Sequence, residues 1–327
     1  MELRKDPITR SWVVVGHRKD TCETTGGCPF CPAKIDSQHA MLRLPPQGPT
    51  QVTVLPHPDP LYRVEGDPGR RADGIYDVME PVGADEIVIE TSEHNKRLED
   101  LNDNQILLVM EAWRQRVEDL KRDRRFKYVS VYKNYGPLAG QEGSHAHSQI
   151  SATTFVPRRI LYELRAARDW YAEKERCVFC DIVKQEERQA KRVVDTQGDY
   201  VALCPYASRV PFEIWLLDRK HNYLFERPRH DSNRRNMAAL LRRVLRRVRQ
   251  VAPAYHLVVH TSPNVIHPKG EKSSNYWKTI AEDFHWHIEI LPIVETRSKS
   301  YSIKEVYYNA TTPEEAAERL RKLDTNS

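Results

Sequence analysis

Two periods alternate along this chain. Over residues 98–124, Leu101, Ile106, Leu107, Met110, Trp113, Val117 and Leu120 recur close to every 3.6 positions, which predicts a long amphipathic helix. The same period returns over 160–174, and over 235–250, where Leu240, Leu241, Val244, Leu245 and Val248 are interleaved with arginines. A last helix is predicted from Thr312-Pro313-Glu-Glu315, a capping box with proline at the first helical position, to about Leu323. Between these stretches lie short runs rich in β-branched and aromatic residues that predict strands. They cover Arg10–Val15, Glu86–Glu90, Tyr128–Tyr132, Tyr200–Cys204, Pro211–Leu217, Tyr255–His260 and Phe284–Leu291. Proline, glycine and aspartate crowd the region 33–75, which predicts long loops with short strands between them.

Laid side by side, the two halves follow one plan: CxxC, strand, histidine, long helix, strand, His-x-His. The first half supplies Cys28, Cys31, His94 and His145-Ala-His147; the second supplies Cys177, Cys180, His221 and His285-Trp-His287. The repeat predicts an α+β fold of two tandem halves, 1–157 and 158–327, with antiparallel sheets flanked by helices and a pseudo-twofold relation between them.

Composition narrows the class. The 327 residues are 39% hydrophobic and 30% charged, as expected of a soluble protein with one large or two ordinary domains. No apolar run approaches the roughly 18 residues of a membrane helix, and the N-terminus lacks the apolar stretch of a signal peptide. No membrane partner is therefore expected, and the cytoplasm is the expected location. The net charge of +5 gathers in Arg234–Arg249. That segment is read as the solvated face of an amphipathic helix rather than a nucleic-acid patch, because nucleic-acid binding gives the paired histidines no task. Of six cysteines, four form Cys28-Pro-Phe-Cys31 and Cys177-Val-Phe-Cys180, leaving Cys22 and Cys204. Paired CxxC motifs in an intracellular chain favour metal over disulfides.

Two thiolates closed by two imidazoles make the tetrahedron that structural zinc prefers. The expected sets are Cys28, Cys31, His94 and His145, and Cys177, Cys180, His221 and His285, with histidines too far downstream for a zinc finger. If His145–Ile150 is extended, His145, His147 and Gln149 share a face. With His145 held by metal, His147 is left as a nucleophile toward phosphorus, beside a loop holding Gly136, Gly140 and Gly143. A neighbouring backbone carbonyl, or Gln149, would fix its tautomer, and Gln149 would hold a phosphoryl oxygen. Asn134, Gly136 and Gly140 would line the phosphate path, with Arg18 and Lys299 as phosphate partners. His287 reads as a degenerate copy, since Glu289 stands where Gln149 would and would repel phosphate.

These pieces carry a resemblance. Asp6-Pro-Ile-Thr-Arg-Ser-Trp12, Cys-Pro-Phe-Cys, Ser92-Glu-His94, Asn134-x-Gly136, His145-Ala-His147-Ser-Gln149, His260-Thr-Ser-Pro263 and His285-Trp-His287 resemble the galactose-1-phosphate uridylyltransferase family of the histidine triad superfamily, over essentially the whole chain. The resemblance implies two histidine-triad-like halves and a ping-pong transfer of UMP from UDP-glucose to galactose 1-phosphate through a uridylyl-histidine at His147. It further implies Gln149 on the phosphoryl oxygens, Asn134 and Arg18 on the nucleotide or phosphate, residues near Lys299 completing the sugar site, and a homodimer. The chain departs from the family pattern at Ala146, where proline is common, at 72–83, which replace the base-binding segment, and at 299–308. The second Cys2His2 set is similar to that of the ADP-glucose phosphorylase branch. An alternative is therefore a phosphorylase or adenylyltransferase using the same histidine on ADP-glucose or a dinucleoside polyphosphate. Glu163 lies where the other branch recruits a carboxylate, so Glu163 or His267 would contribute if the second site holds another metal.

Overall fold

A computed structural model describes residues 1–16, 28–35, 39–227, 231–265, 277–294 and 306–325. Its strands are β1 (Glu2–Lys5), β2 (Trp12–Val15), β3 (Leu42–Leu44), β4 (Val52–Pro56), β5 (Arg71–Asp73), β6 (Tyr76–Met79), β7 (Gly83–Ile89), β8 (Tyr128–Tyr135), β9 (His147–Thr153), β10 (Val193–Gln197), β11 (Tyr200–Leu203), β12 (Ile214–Asp218), β13 (Ala254–His260) and β14 (His287–Ile293). The helices are α1 (Asp103–Leu120), α2 (Arg158–Lys174), α3 (Val178–Gln189), α4 (Asp231–Val251), α5 (Ile280–Asp283) and α6 (Pro313–Arg321).

Ten strands form one antiparallel sheet in the order β10-β11-β12-β14-β13-β8-β9-β7-β4-β3. Outward from the β13–β8 seam, the first half runs β8-β9-β7-β4-β3 and the second β13-β14-β12-β11-β10. The two orders correspond strand for strand, which is the mixed α+β repeat expected from the sequence. β1, β2, β5 and β6 make a separate four-stranded sheet.

One face of the large sheet carries the main core. Trp113 and Val117 of α1 and Leu241, Val244 and Leu245 of α4 pack there against Val88, Val129, Ile150, Leu257 and Ile288. The opposite face differs between halves. In the second half it is covered by Leu164 of α2, Phe179 and Val183 of α3, and Phe284. In the first half the equivalent face carries, among the described residues, a small cluster of Phe30, Ile87 and Ile89. The two His-x-His motifs therefore lie under apolar cover of different extent.

Several boundaries move for local reasons. The first helix begins at Asp103, not 98, because Asn102 and Gln105 form a reciprocal cap. Phe212 has φ of 62°, which interrupts extended backbone and delays the strand predicted from Pro211 to Ile214. The second CxxC opens a helix, with Cys177 as the N-cap of α3. The arginines of α4 are engaged with neighbouring elements: Arg243 and Arg247 with Asp195, Arg234 with Glu111, Arg249 with Asp100. Among the described residues, no helix is long and apolar enough to cross a membrane.

Candidate functional site

The strand predicted to start at His145 starts at His147, so His145 lies in the approach to β9 and turns to the cysteines. Its Nδ1 is 3.8 Å from both Cys28 Sγ and Cys31 Sγ, and His94 Nδ1 is 3.4 Å from Cys31 Sγ. Sulfur and nitrogen ligands at ordinary zinc distances in a tetrahedron stand about 3.6 Å apart, so the four side chains fit that ion. Each ring is oriented from its far side. His145 Nε2–H donates to the Thr91 carbonyl at 2.7 Å, and His94 Nε2 lies 3.2 Å from Ser144 Oγ. A hydrogen bond at Nε2 leaves the Nδ1 lone pair for a metal.

His147, two residues on, is 3% exposed and its ring lies 5.4 Å from that of Phe30. Its Nδ1–H donates to the His145 carbonyl at 2.8 Å, which fixes the tautomer with the lone pair on Nε2. No described residue hydrogen-bonds Nε2. Burial, followed by the charge of Lys133, lowers its pKa, so the ring is neutral at neutral pH. Behind β9, Lys133 is itself only 1% exposed. Its Nζ pairs with Glu90 at 2.8 Å and donates to the His147 carbonyl at 2.8 Å, while the Glu90 N–H donates to the Ala146 carbonyl. The backbone on both sides of the His147 ring is therefore held from below.

Around it, Gln149 is half-buried and its amide makes no hydrogen bond among the described residues. Asn134, next to last in β8, lies on the same face, its Oδ1 2.8 Å from His256 Nδ1. Gly136, at φ of 85°, passes so close to β13 that a Cβ would lie 2.8 Å from the Pro253 carbonyl and 2.9 Å from Ala254 Cβ; Gly140, at φ of 72°, closes the turn. The amides of both glycines are spent inside the loop, on Gln141 Oε1 and the Pro137 carbonyl. Their contribution is shape rather than donation. Arg18, Lys299 and His267 lie outside the described residues.

The second half repeats the metal arrangement. Cys180 Sγ is 3.5 Å from Nδ1 of both His221 and His285, and Cys177 completes the group. His221 Nε2–H donates to the Ala281 carbonyl at 2.7 Å. His287 Nδ1–H likewise meets the His285 carbonyl, at 3.1 Å, but the ring is enclosed by Phe179, Trp215 and Phe284 and Nε2 is buried without a partner among the described residues. Glu163 does not join the Cys177 set, which already has four ligands. It bonds His260 Nδ1 at 2.7 Å and forms a third group with His260, His287 and Glu289, all four donor atoms lying within 4.8 Å of one another. Buried Glu163 Oε1 and His287 Nε2 make no hydrogen bond among the described residues, although Arg159 Nε lies 3.4 Å from the first and Glu289 4.0 Å from the second. Arg209, 2.7 Å from Glu289, and Arg159, beside Glu163 and Glu289, already offset the carboxylates. Sequence reasoning did not single out His256, Lys133, Glu90 or Arg209. The alternation of Lys133 between Tyr132 and Asn134, placing a lysine on the core face, was the available signal for one of them.

Comparison with known proteins adds to this geometry. Residues 61–157 match the galactose-1-phosphate uridyl transferase N-terminal domain, and residues 163–326 match the C-terminal domain. The chain is 27% identical to a galactose-1-phosphate uridylyltransferase from Thermotoga maritima, covering 99% of each. Among solved structures, a uridylyltransferase superposes with a TM-score of 0.82 at 27% identity, over 98% of this chain and 97% of the other. An ADP-glucose phosphorylase from Arabidopsis thaliana, solved with bound ADP-glucose, gives 0.78 at 25% identity, over 99% of each.

Proposed function

The chain belongs to the galactose-1-phosphate uridyl transferase family, and from that premise we propose that it is a nucleotidyltransferase working by two displacements on His147. In the first, Nε2 attacks the α-phosphorus of UDP-glucose. The N–P bond forms as the bond from that phosphorus to the bridging oxygen breaks, and glucose 1-phosphate leaves with the bridging oxygen. In the second, a phosphate oxygen of galactose 1-phosphate attacks the same phosphorus and releases the imidazole, giving UDP-galactose. The observation that carries this proposal is the Nδ1–H bond to the His145 carbonyl, which commits the lone pair to Nε2, an atom that no described residue hydrogen-bonds. Gln149, whose amide makes no hydrogen bond among the described residues, would donate it to the phosphoryl oxygens, and Asn134 stands one strand away. Arg18 and Lys299 belong to the proposal as phosphate and sugar contacts.

Both Cys2His2 sets are proposed to hold zinc, supported by their ligand spacing. Such a closed four-ligand ion anchors the fold and leaves the chemistry to the chain. His145 is then an anchor whose carbonyl orients the neighbouring nucleophile. The third group, with Glu163, is where another metal would be held. A homodimer is part of the same proposal, and sedimentation of the purified chain tests it.

A second reading keeps the histidine and changes the substrates to ADP-glucose and inorganic phosphate. The near-complete overlap with the Arabidopsis ADP-glucose phosphorylase favours it. Separate incubation with UDP-glucose and ADP-glucose, followed by intact-mass measurement, separates the two: the true donor leaves its nucleotide on the protein. Labelling by neither donor rejects both.

A further inference from the structure

β13 belongs to the second half, yet one of its side chains reaches the face on which the nucleophile stands. His256 pairs in register with Asn134 across the β13–β8 seam. On the other side of β8, the β8–β9 register runs from Tyr128 opposite Thr153 to Tyr132 opposite Gln149. Extended two residues past its last pair, that register brings Asn134 level with His147 at the start of β9. The three residues thus lie in one transverse row and project from one face, with neighbouring strands about 4.8 Å apart. Tyr255, Leu257 and Val259, which alternate with His256, are buried in the core on the opposite face.

His256 Nδ1 lies 2.8 Å from Asn134 Oδ1. A carboxamide has one accepting and one donating end, whereas phosphoryl oxygens only accept. An N–H engaging Oδ1 from the seam side leaves the Nδ2 donors for the His147 side. Without that bond the amide is free to turn its oxygen toward the phosphate, where it repels.

We propose that His256 is a positioning residue contributed by the second half, fixing the Asn134 carboxamide with its NH2 group toward the phosphoryl oxygens of the nucleotide attacked by His147. The role rests on the nucleotidyl-transfer function above and extends it, because it makes the seam part of the active site.

The test compares four variants with the intact chain: His256→Leu, His256→Gln, Asn134→Ala and the His256→Leu/Asn134→Ala double variant. The rate of nucleotidyl-protein formation is followed by quench and intact mass, using UDP-glucose and ADP-glucose. At saturating donor, His256→Leu should slow labelling by about 10- to 100-fold, less than the roughly 10²–10³-fold of removing an oriented donor outright, because the Asn134 amide is still present. His256→Gln, which keeps an N–H, should recover most of the rate. In the Asn134→Ala background the His256→Leu change should add less than about twofold, since the two residues act as one unit. Nitrogen-15 NMR of the imidazole should show the Nδ1–H tautomer of His256, altered by Asn134→Ala. A His256→Leu chain that labels at the wild-type rate, or losses that multiply in the double variant, overturns the role. Should the variants fold poorly, an Nε2–H tautomer in the wild-type chain overturns it instead. A labelled wild type with an indifferent His256→Leu removes this role alone; a wild type labelled by neither donor removes the transfer function as well.

Discussion

The imidazole of His147 is held at three points: its own Nδ1–H on the His145 carbonyl, and the Ala146 and His147 carbonyls on Glu90 N–H and Lys133 Nζ. Each contact fixes where Nε2 points, and none consumes it. Replacing His147 with alanine should abolish the nucleotidyl adduct and lower kcat by about 10⁴-fold or more, as loss of other covalent nucleophiles does; turnover at the wild-type rate would reject the assignment. Lys133→Met should leave Glu90 buried and uncompensated, a change costing about 3–5 kcal/mol. Thermal unfolding would register it, and an unchanged melting temperature would show that the ion pair is not a strut. At this scale the sequence disclosed the residues whose spacing is itself the chemistry, the CxxC pairs and His-x-His. It did not disclose His256 or Glu90, whose partners lie 122 and 43 positions away and meet them only through strand register.

Elements set these residues in place, and some of their supports are ionic. Asp195 on β10 ties down α4 through Arg243 and Arg247. Burial alone would raise its pKa, but hydrogen bonds from the two arginines outweigh burial and leave it lowered. A lowered carboxyl pKa gives stability that is present above the unfolded value of 3.8 and lost as pH falls through the folded one. Asp195→Asn should therefore melt roughly 2–5 °C below wild type at neutral pH. That gap should shrink in acid, and a gap constant with pH would contradict the account. The apolar period between the arginines predicted α4 correctly, but the partners of those arginines on other elements were invisible to a helical wheel. α3 went unrecognised because its first turn contains the second CxxC, and β1, β5 and β6 because strands of three or four residues carry too few alternations to register. The first CxxC, by contrast, sits in a loop, so Cys31→Ala should remove one metal per chain by elemental analysis and slow labelling of His147 by freeing His145. Full metal content in that variant would overturn the ligand assignment.

Over the whole molecule, the two halves share one sheet whose central pair is β13–β8. The repeat in the sequence announced two similar halves; it carried no sign that they would be joined edge to edge, because strand order at a seam depends on contacts more than a hundred residues apart. The seam has a consequence for dissection. Residues 1–157 expressed alone would expose the long β8 edge and lose the cover of Tyr255 and Leu257, so the fragment should aggregate or remain unfolded. A monomeric, folded fragment would show that the halves are independent. The same architecture distinguishes the two His-x-His motifs: α2, α3 and Phe284 cover the face of His287, while among the described residues that of His147 carries only the smaller cluster of Phe30, Ile87 and Ile89, in keeping with the proposal that His147 is the nucleophile. The most direct measurement is therefore intact mass of the chain after incubation with UDP-glucose or ADP-glucose, followed by peptide mapping. The account predicts one nucleotidyl group per chain, on His147, discharged by the acceptor phosphate and absent in His147→Ala. A chain that turns over substrate with no such adduct, or carries it on His287, would contradict it.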